Sequence, residues 1–487
     1  MNFTKSLEQN IRSIKEKLNS EDVLYHEIKV GENNATLIIV DGMNDKEWIN
    51  TQIIRPLKIY NGELDANEIL KVIGCADCES VKGRLDGENA VLSGNALLLI
   101  DGVDSGIKIG VRVCPQRAIA EPPTSVVLKG PREGFVEDFK TNIVLLRKRI
   151  KSADLKVCTI EVGKYSKTSV SVVYIDSIAN DEIVKQIKSK LKKISIDGVA
   201  DSSIIGNFLS SNKFSLFNQY GTTEKPDVLA SKLLEGRVGI IVDGSPIVLT
   251  VPYLLLEEFQ GSEDYYKHSS RANFSRILRF MAVAFCVFLP AFYVSAQLFH
   301  LELIPLNFLI TVVNSIKGLP FTPSFEMLFT LLIFEVLNEA SIRMPKYVGM
   351  ALSVVGALVL GETAVSAGII STPTVLIMAL SGIAMYTLPD MADSLSVLRL
   401  IFLVLAGTLG IYALICALCF LMIYLINLSS YSVPVLAPIS PLVPGDLKDS
   451  LIKEPNYFLT KRPVSLKTKN LTRMRHNIKG EKNESKR

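Results

Sequence analysis

The sequence predicts an α+β cytosolic region of two α/β subdomains, followed by an α-helical polytopic membrane domain. Three observations carry that reading. Charge is spread evenly up to Arg279, as in a water-soluble protein. From Phe280 to Leu428 it nearly disappears, and the stretches Phe280 to Phe299 and Leu400 to Leu428 carry none. A bilayer core takes about 20 apolar residues per helix, so both stretches are long enough to span it. After Tyr457 a dense basic tail begins. The expected organisation is therefore subdomains at 1–150 and 151–262 and a basic juxtamembrane linker at 263–279. A transmembrane domain of four to six helical segments follows at 280–428, then a Pro-rich and basic cytosolic tail at 429–487.

Composition narrows the function classes. A net charge of +4 over 487 residues is too small to point to nucleic acid, and no basic patch with interleaved aromatics occurs. Met1 to Ser20 is charged and amphipathic, without the apolar core of a secretory signal, so the leading region is expected in the cytosol. Of seven cysteines, Cys75 and Cys78 form the only C-x-x-C. A zinc site wants a second pair or histidines at ligand spacing, and a redox motif wants a thioredoxin-like context. Neither is present, so reduced structural thiols are expected. The four histidines, His26, His268, His300 and His476, complete no catalytic constellation. No phosphate-binding G-x-x-x-x-G-K-[ST] or G-x-G-x-x-G occurs. No enzyme activity, cofactor or metal is expected.

In chain order, Asn10 to Leu18 reads as a short leading helix, Thr36 to Val40 as a strand and Asp45 to Ile54 as a helix. A helix near Glu79 to Leu92 precedes the strand Ala96 to Ile100 and its partner Ile107 to Val113. An apolar strand ending in Asp-Gly recurs at Leu37 to Gly42, Leu97 to Gly102 and Gly239 to Gly244. Metal or phosphate binding by these aspartates is weighed against turn chemistry, which is favoured because Asp-Gly supplies the φ > 0 position of a tight turn. Lys156 to Val162 and Thr168 to Ile175 alternate as a hairpin, and Asp181 to Lys193 repeats apolar residues at helical spacing. Glu121 to Phe135 packs prolines, glycines and paired charges. Such a segment is usually solvated surface; the alternative is a coupling loop, with Gly130, Pro131, Arg132, Glu133 and Gly134 as candidates.

Arg271, Arg276 and Arg279 precede the first span, placing the leading region inside by the positive-inside rule. The expected spans are Phe280 to Phe299, with Pro290 as a kink, Phe325 to Ile342, Tyr347 to Ile370, a short Thr372 to Leu388, and Leu400 to Leu428, tilted or broken near Gly407 and Gly410. Leu301 to Phe321, interrupted by Pro305 and Pro320, reads as re-entrant or interfacial. The segment from Lys461 to Arg487 holds ten Lys or Arg against two Glu, which argues for a cytosolic carboxyl terminus. Two internal termini need an even number of crossings, whereas these spans number five. Glu335, Glu339 and Arg343 fall on one face of the second span with Asn338 alongside, and intramembrane charges face protein or water. The alternative for the glutamates is a membrane-edge salt bridge to Arg343. The third span carries a small-residue seam, Ser353, Ala357, Gly361, Ala364 and Gly368, beside Val355, Val359, Glu362 and Ser366. The seam suits helix packing within one subunit, or a symmetric oligomer whose pore Val355, Val359, Glu362 and Ser366 line.

Several stretches resemble the GerA-type spore germination protein family, specifically the A subunit of germinant receptors. They are Glu121-Pro-Pro-Thr124 with Gly130-Pro-Arg-Glu-Gly-Phe135, and Gly236-Arg-Val-Gly239 through Glu263-Asp-Tyr-Tyr266 to Arg276-Ile-Leu-Arg279. Further on come Glu335-Val-Leu-Asn-Glu-Ala-Ser-Ile-Arg-Met-Pro345 with Val355-Gly-Ala-Leu-Val-Leu-Gly361, then Asp446-Leu-Lys-Asp449 and Lys461-Arg-Pro463. The resemblance implies a multi-pass component of the bacterial spore inner membrane. It implies a homo-oligomeric, nutrient-gated ion channel that triggers germination, partnered by a transporter-like B subunit and a lipoprotein C subunit. The sequence departs from the family pattern at Asn338-Glu-Ala-Ser341, where Arg-Glu-Ala-Gly is common, and at Glu362, where Gln is common. The similar stage V sporulation protein AF group shares these motifs and acts in spore ion release. A secondary transporter is a further alternative, motivated by Glu335, Glu339 and Glu362, but it would need inverted repeats, and none is visible.

Overall fold

The structure is a computed structural model that describes residues 2–112 (except 61, 63, 64, 74 and 76), 129–343 and 359–474. The chain forms two compact units. One comprises Met1–Tyr253, Ser429–Val433 and Asn456–Arg487; the other comprises Leu254–Leu428 and Pro434–Pro455.

The first unit holds two five-stranded antiparallel sheets. Helix α1 (Leu7–Lys17) starts at Ser6, whose hydroxyl accepts from the Gln9 amide. Strands β1 (Val23–Val30), β2 (Asn33–Val40), β3 (Cys78–Val81), β4 (Ala96–Ile100) and β5 (Gly106–Ile109) form a sheet in the order β1-β2-β4-β5-β3. Successive side chains of a strand point to opposite faces. Leu37 and Ile39 of β2 accordingly join Leu98, Ile100, Ile53, Leu57 and Ile69 on one face. Ile38 and Val40 join Leu97, Leu99, Phe3, Leu7 and Ile14 on the other. Two covered faces explain why β2 and β4 read as unbroken apolar runs rather than as alternation. The expected helix near Glu79 to Leu92 is corrected: Cys78 to Val81 pair with Ile109 to Gly106 as β3, and only Arg84–Leu92 is helix α2.

The second sheet contains β6 (Leu155–Val162), β7 (Thr168–Ile175), β8 (Gly221–Thr223), β9 (Val238–Val242) and β10 (Val248–Val251). Its order, β6-β7-β9-β10-β8, repeats the first with every index raised by five. The two subdomains thus share one topology. The Asp-Gly turns sit at the ends of β2, β4 and β9, where Gly42, Gly102 and Gly244 have φ of 81°, 89° and 83°. A Cβ at Gly102 or Gly244 would meet nothing within 4 Å, so backbone conformation alone selects glycine there.

Helix α3 (Phe139–Arg149) is capped by the Asp138 carboxylate. Its Ile143, Leu145 and Leu146 pack with Leu155, Val157, Val173 and Ile241 of the second sheet, while Val144 joins the core of the first. Its Arg147, 1% exposed, donates from Nε to Asp22 Oδ2 at 2.7 Å and from Nη2 to Asp22 Oδ1 at 2.9 Å. It also reaches the carbonyls of Ser152 and Leu155 at 3.0 and 2.9 Å. Helices α4 (Asp181–Lys193), α5 (Ser202–Leu209) and α6 (Pro226–Leu234) complete the layers. Residues far along the chain finish this unit. Ser430 Oγ donates to the Gln219 carbonyl at 2.8 Å, Arg462 Nε to Leu234 O at 2.6 Å, and Lys469 Nζ pairs with Asp181 at 2.7 Å.

The second unit is helical: α7 (Ser269–Phe299), α8 (Leu306–Ile316), α9 (Pro323–Arg343), a helical turn at 359–366, α10 (Thr372–Met385) and α11 (Ala392–Asn427). Tyr293, Val294, Val312, Met327, Leu331, Ile377, Met378 and Leu403 form its core. Among the described residues two helices are long and apolar enough to cross a membrane, Ser269–Phe299 and Pro389–Asn427. Helix α7 runs unbroken through Pro290. Helix α11 changes direction at Gly410, whose φ of 69° and ψ of −151° are open essentially to glycine alone. The 14 residues of α10 rise about 21 Å, less than the ~30 Å hydrocarbon core.

Candidate functional site

Three polar arrangements in the helical unit have chemistry beyond packing. The first gathers motifs that lie far apart in sequence. Asp264, 1% exposed, accepts from Arg279 Nη1 at 2.7 Å, Arg279 Nη2 at 3.2 Å, Arg276 Nε at 3.4 Å and the Gly261 amide at 3.1 Å. Arg276, fully buried in the first turns of α7, also reaches Asp449 Oδ1 at 3.2 Å and the Ser450 carbonyl at 3.3 Å. Lys453, 2% exposed, donates from Nζ to the Asp264 carbonyl at 2.8 Å, and its backbone amide donates to Asn273 Oδ1 at 2.6 Å. The Tyr265 hydroxyl donates to Asp449 Oδ2 at 3.2 Å, and its ring lies under both Arg276 and Lys453. Three cations thus meet two carboxylates, which ties the base of the first apolar helix to the short helix α12 (Leu447–Ser450) and the residues after it. Burial pushes the Lys453 ammonium below its ordinary pKa, opposed by Asp449. Beside the cluster, Phe259 stacks on Phe280 at 4.0 Å between centroids.

The second arrangement rearranges the predicted polar network. Glu335 does not pair with Arg343. Its Oε1 accepts from Arg399 Nη2 at 2.5 Å and from the Ser396 hydroxyl, both on α11. Arg399 is fully buried; its Nη1 donates to Ser381 Oγ at 2.9 Å, and Ser381 donates on to the Cys286 carbonyl at 2.8 Å. Asn338 accepts from the Tyr386 hydroxyl at 2.9 Å. Glu339 instead pairs with Arg343 at 2.5 Å, one turn away on the exposed end of α9. Arg399 was not among the expected site residues. It stands immediately before the charge-free run, and only the packing of α9 against α11 brings it to Glu335.

The third is the segment at 359–366. Ser353, Val355 and Ala357 lie outside the described residues. Val359 opens the π-helical turn Val359–Thr363, and Glu362 and Ser366 are exposed. Ala364 is half-buried, and a Cβ on Gly361 would meet nothing within 4 Å. Gly368 has φ 65° and ends the helical run.

The candidate coupling loop lies in the first unit. Gly130 and Arg132 are exposed, Pro131 is half-buried and Gly134 is buried. Glu133 accepts from Lys148 Nζ at 2.7 Å and Arg149 Nη2 at 2.8 Å, and the Phe135 amide donates to the Glu224 carbonyl at 2.7 Å. The hydrogen bond from Lys148 holds the Glu133 carboxyl below its ordinary pKa. Among the described residues no cluster of three or more His, Cys, Asp or Glu could hold a metal. Cys75 and Cys78 are free thiols, and burial with the neighbouring Cys75 pushes Cys78 up to about 12.

Residues 9–465 match the family described as Bacillus/Clostridium GerA spore germination protein. "Spore germination protein KA" of Bacillus subtilis is 36% identical over 473 residues, 95% of this chain and 87% of that protein. "Spore germination protein GerLA" of Bacillus cereus is 32% identical over 471 residues, 95% of this chain and 96% of that protein. Among solved structures, the N-terminal domain of the A subunit of the Bacillus megaterium spore germinant receptor GerK3 covers 52% of this chain and 98% of its own, at 28% identity and TM-score 0.42. With a match running through the α/β unit, the buried Asp264 cluster and the helical unit alike, the chain belongs to the GerA spore germination protein family.

Proposed function

We propose that this chain is the A subunit of a spore germinant receptor, a multi-pass protein of the spore inner membrane with its α/β unit in the cytosol. Copies assemble through the helical unit into an ion channel, which opens when the partner B and C subunits detect a nutrient. One observation carries the channel reading. Among the described residues of a single chain Glu362 and Ser366 are exposed, and a Cβ on Gly361 would meet nothing within 4 Å. A charged residue on an uncovered face of an apolar helical unit calls for water or another protein surface, because a charge near the membrane centre costs on the order of 2.5–3.5 kcal/mol. A ring of copies around a water-filled axis supplies both. The chain also leaves the first unit at Tyr253 and rejoins it at Ser429, which supports an even number of crossings between them. Ion flux from liposomes holding the full-length protein tests the reading. Val359→Ser is expected to make the channel leaky, and Glu362→Gln to alter cation preference. Unchanged flux and unchanged germination for both substitutions would refute it.

A further inference from the structure

Glu326 is a carboxylate that the germination reading does not use. It is fully buried in the first turn of α9, and among the described residues no cationic side chain pairs with it. One of its oxygens is well served: Oε1 accepts from the Ser371 amide at 2.6 Å and the Ser371 hydroxyl at 2.7 Å, at the N-cap of α10. The other, Oε2, has no hydrogen-bond partner among the described residues. Facing the same place from α7 is Tyr293, 6% exposed, whose hydroxyl also has no partner. That hydroxyl lies in the field of Glu326 and beside the Ser371 and Thr374 hydroxyls, without meeting hydrogen-bond geometry to either. Thr374 Oγ1 is 3.0 Å from Ser371 Oγ. Gln297, one turn further along α7 and 8% exposed, likewise has both amide atoms unpartnered.

A buried anion needs a partner, or its charge costs several kcal/mol. The hydroxyls of Ser371, Thr374 and Tyr293, gathered beside this carboxylate, supply hard oxygen atoms with one negative charge among them. That set suits a small univalent ion rather than a divalent one, which takes more carboxylates. The geometry points to an alkali-metal cation site formed by Glu326 Oε2 and the hydroxyls of Tyr293, Ser371 and Thr374. The site joins three helices, α7, α9 and α10, and borders the turn that follows the 359–366 segment. It does not depend on the channel reading, since a bound ion can be structural.

The test uses the full-length protein in detergent, with choline chloride exchanged for sodium or potassium chloride at constant ionic strength. The unfolding midpoint is expected to rise saturably by about 3 °C in at least one alkali salt. Glu326→Gln keeps an acceptor for Ser371 but removes the charge, so the rise is lost. Tyr293→Phe keeps the ring and removes only the hydroxyl, so half-saturation moves several-fold higher. Equal midpoints in all three salts would overturn the proposal, as would an undiminished rise in Glu326→Gln. A midpoint that responds to pH but to neither alkali ion would assign the charge balance to a proton, which also overturns it. Should Glu326→Gln fail to fold, Tyr293→Phe decides: unaltered half-saturation refutes the site.

Discussion

Replacing Asp264 by Ala should destabilise the helical unit more than any other single change at the base of its first apolar helix. Asp264 accepts three charge-assisted hydrogen bonds from two guanidiniums, Arg276 fully buried and Arg279 one-fifth exposed. Removing one partner of a buried pair costs about 3–5 kcal/mol, chiefly because the remaining charge stays buried. Arg276 keeps Asp449 and Arg279 keeps the Phe259 carbonyl at 2.9 Å, so a value near 4 kcal/mol is the reasonable expectation. For a unit of roughly 200 residues that corresponds to a midpoint lower by about 8–16 °C. Cys286 provides the probe. It is fully buried in α7, so in a background with the other cysteines replaced, its labelling by a thiol-reactive dye reports opening of this unit. Asp449→Ala is the internal comparison. Its carboxylate is one-fifth exposed and holds Arg276 and the Tyr265 hydroxyl at 3.2 Å each, so its loss should cost clearly less. A shift below 2 °C for Asp264→Ala, or a larger one for Asp449→Ala, would refute the assignment of Asp264 as the centre of the cluster.

Asp22→Ala should cost the α/β unit about 3–5 kcal/mol by stranding Arg147, whereas Asp22→Leu with Arg147→Met should recover most of it, measured by urea unfolding followed at Trp48. Glu335→Gln leaves the buried Arg399 charge uncompensated and should lower the amount of protein in the membrane, while Glu335→Gln combined with Arg399→Gln should restore part of it. Equal loss in the single and double variants would mean the pair is not coupled. For Glu133 the folded carboxyl has a depressed pKa, so its contribution is present in full above the ordinary value of 4.5 and is lost as pH falls through the lower folded value. Hydrogen exchange at the Phe135 amide should therefore stay slow from pH 7 to about 5 and accelerate below 4.5, beyond the intrinsic pH trend and beyond that of Glu133→Gln.

The α/β unit was largely legible where both faces of a strand are covered, because such strands are continuous apolar runs and end in Asp-Gly turns. Strand β1 was missed since His26 on one face and Glu27 and Lys29 on the other, all exposed on an edge strand, interrupt its pattern. Strand β3 was missed since it is four residues long and borrows its order from β5. The helical unit was less legible for a different reason. Spacing along one helix finds i, i+4 pairs such as Glu339 and Arg343. It cannot find Glu335 with Arg399, or Glu326 with Ser371, because those partners meet only when separate helices pack. The Asp264 cluster lay between these cases: its motifs were visible one by one, and their convergence was not.

The second α/β subdomain takes bonds from Ser430, Arg462 and Lys469, which are translated after every apolar helix. At about 5–20 residues per second, the interval between Tyr253 and Ser429 lasts on the order of ten to forty seconds. During that time the subdomain exists without its last pieces while the apolar helices are made. A chain that stalls or is cut within the helices never receives them. Completion of the α/β unit is therefore a late report that translation has passed all the apolar helices.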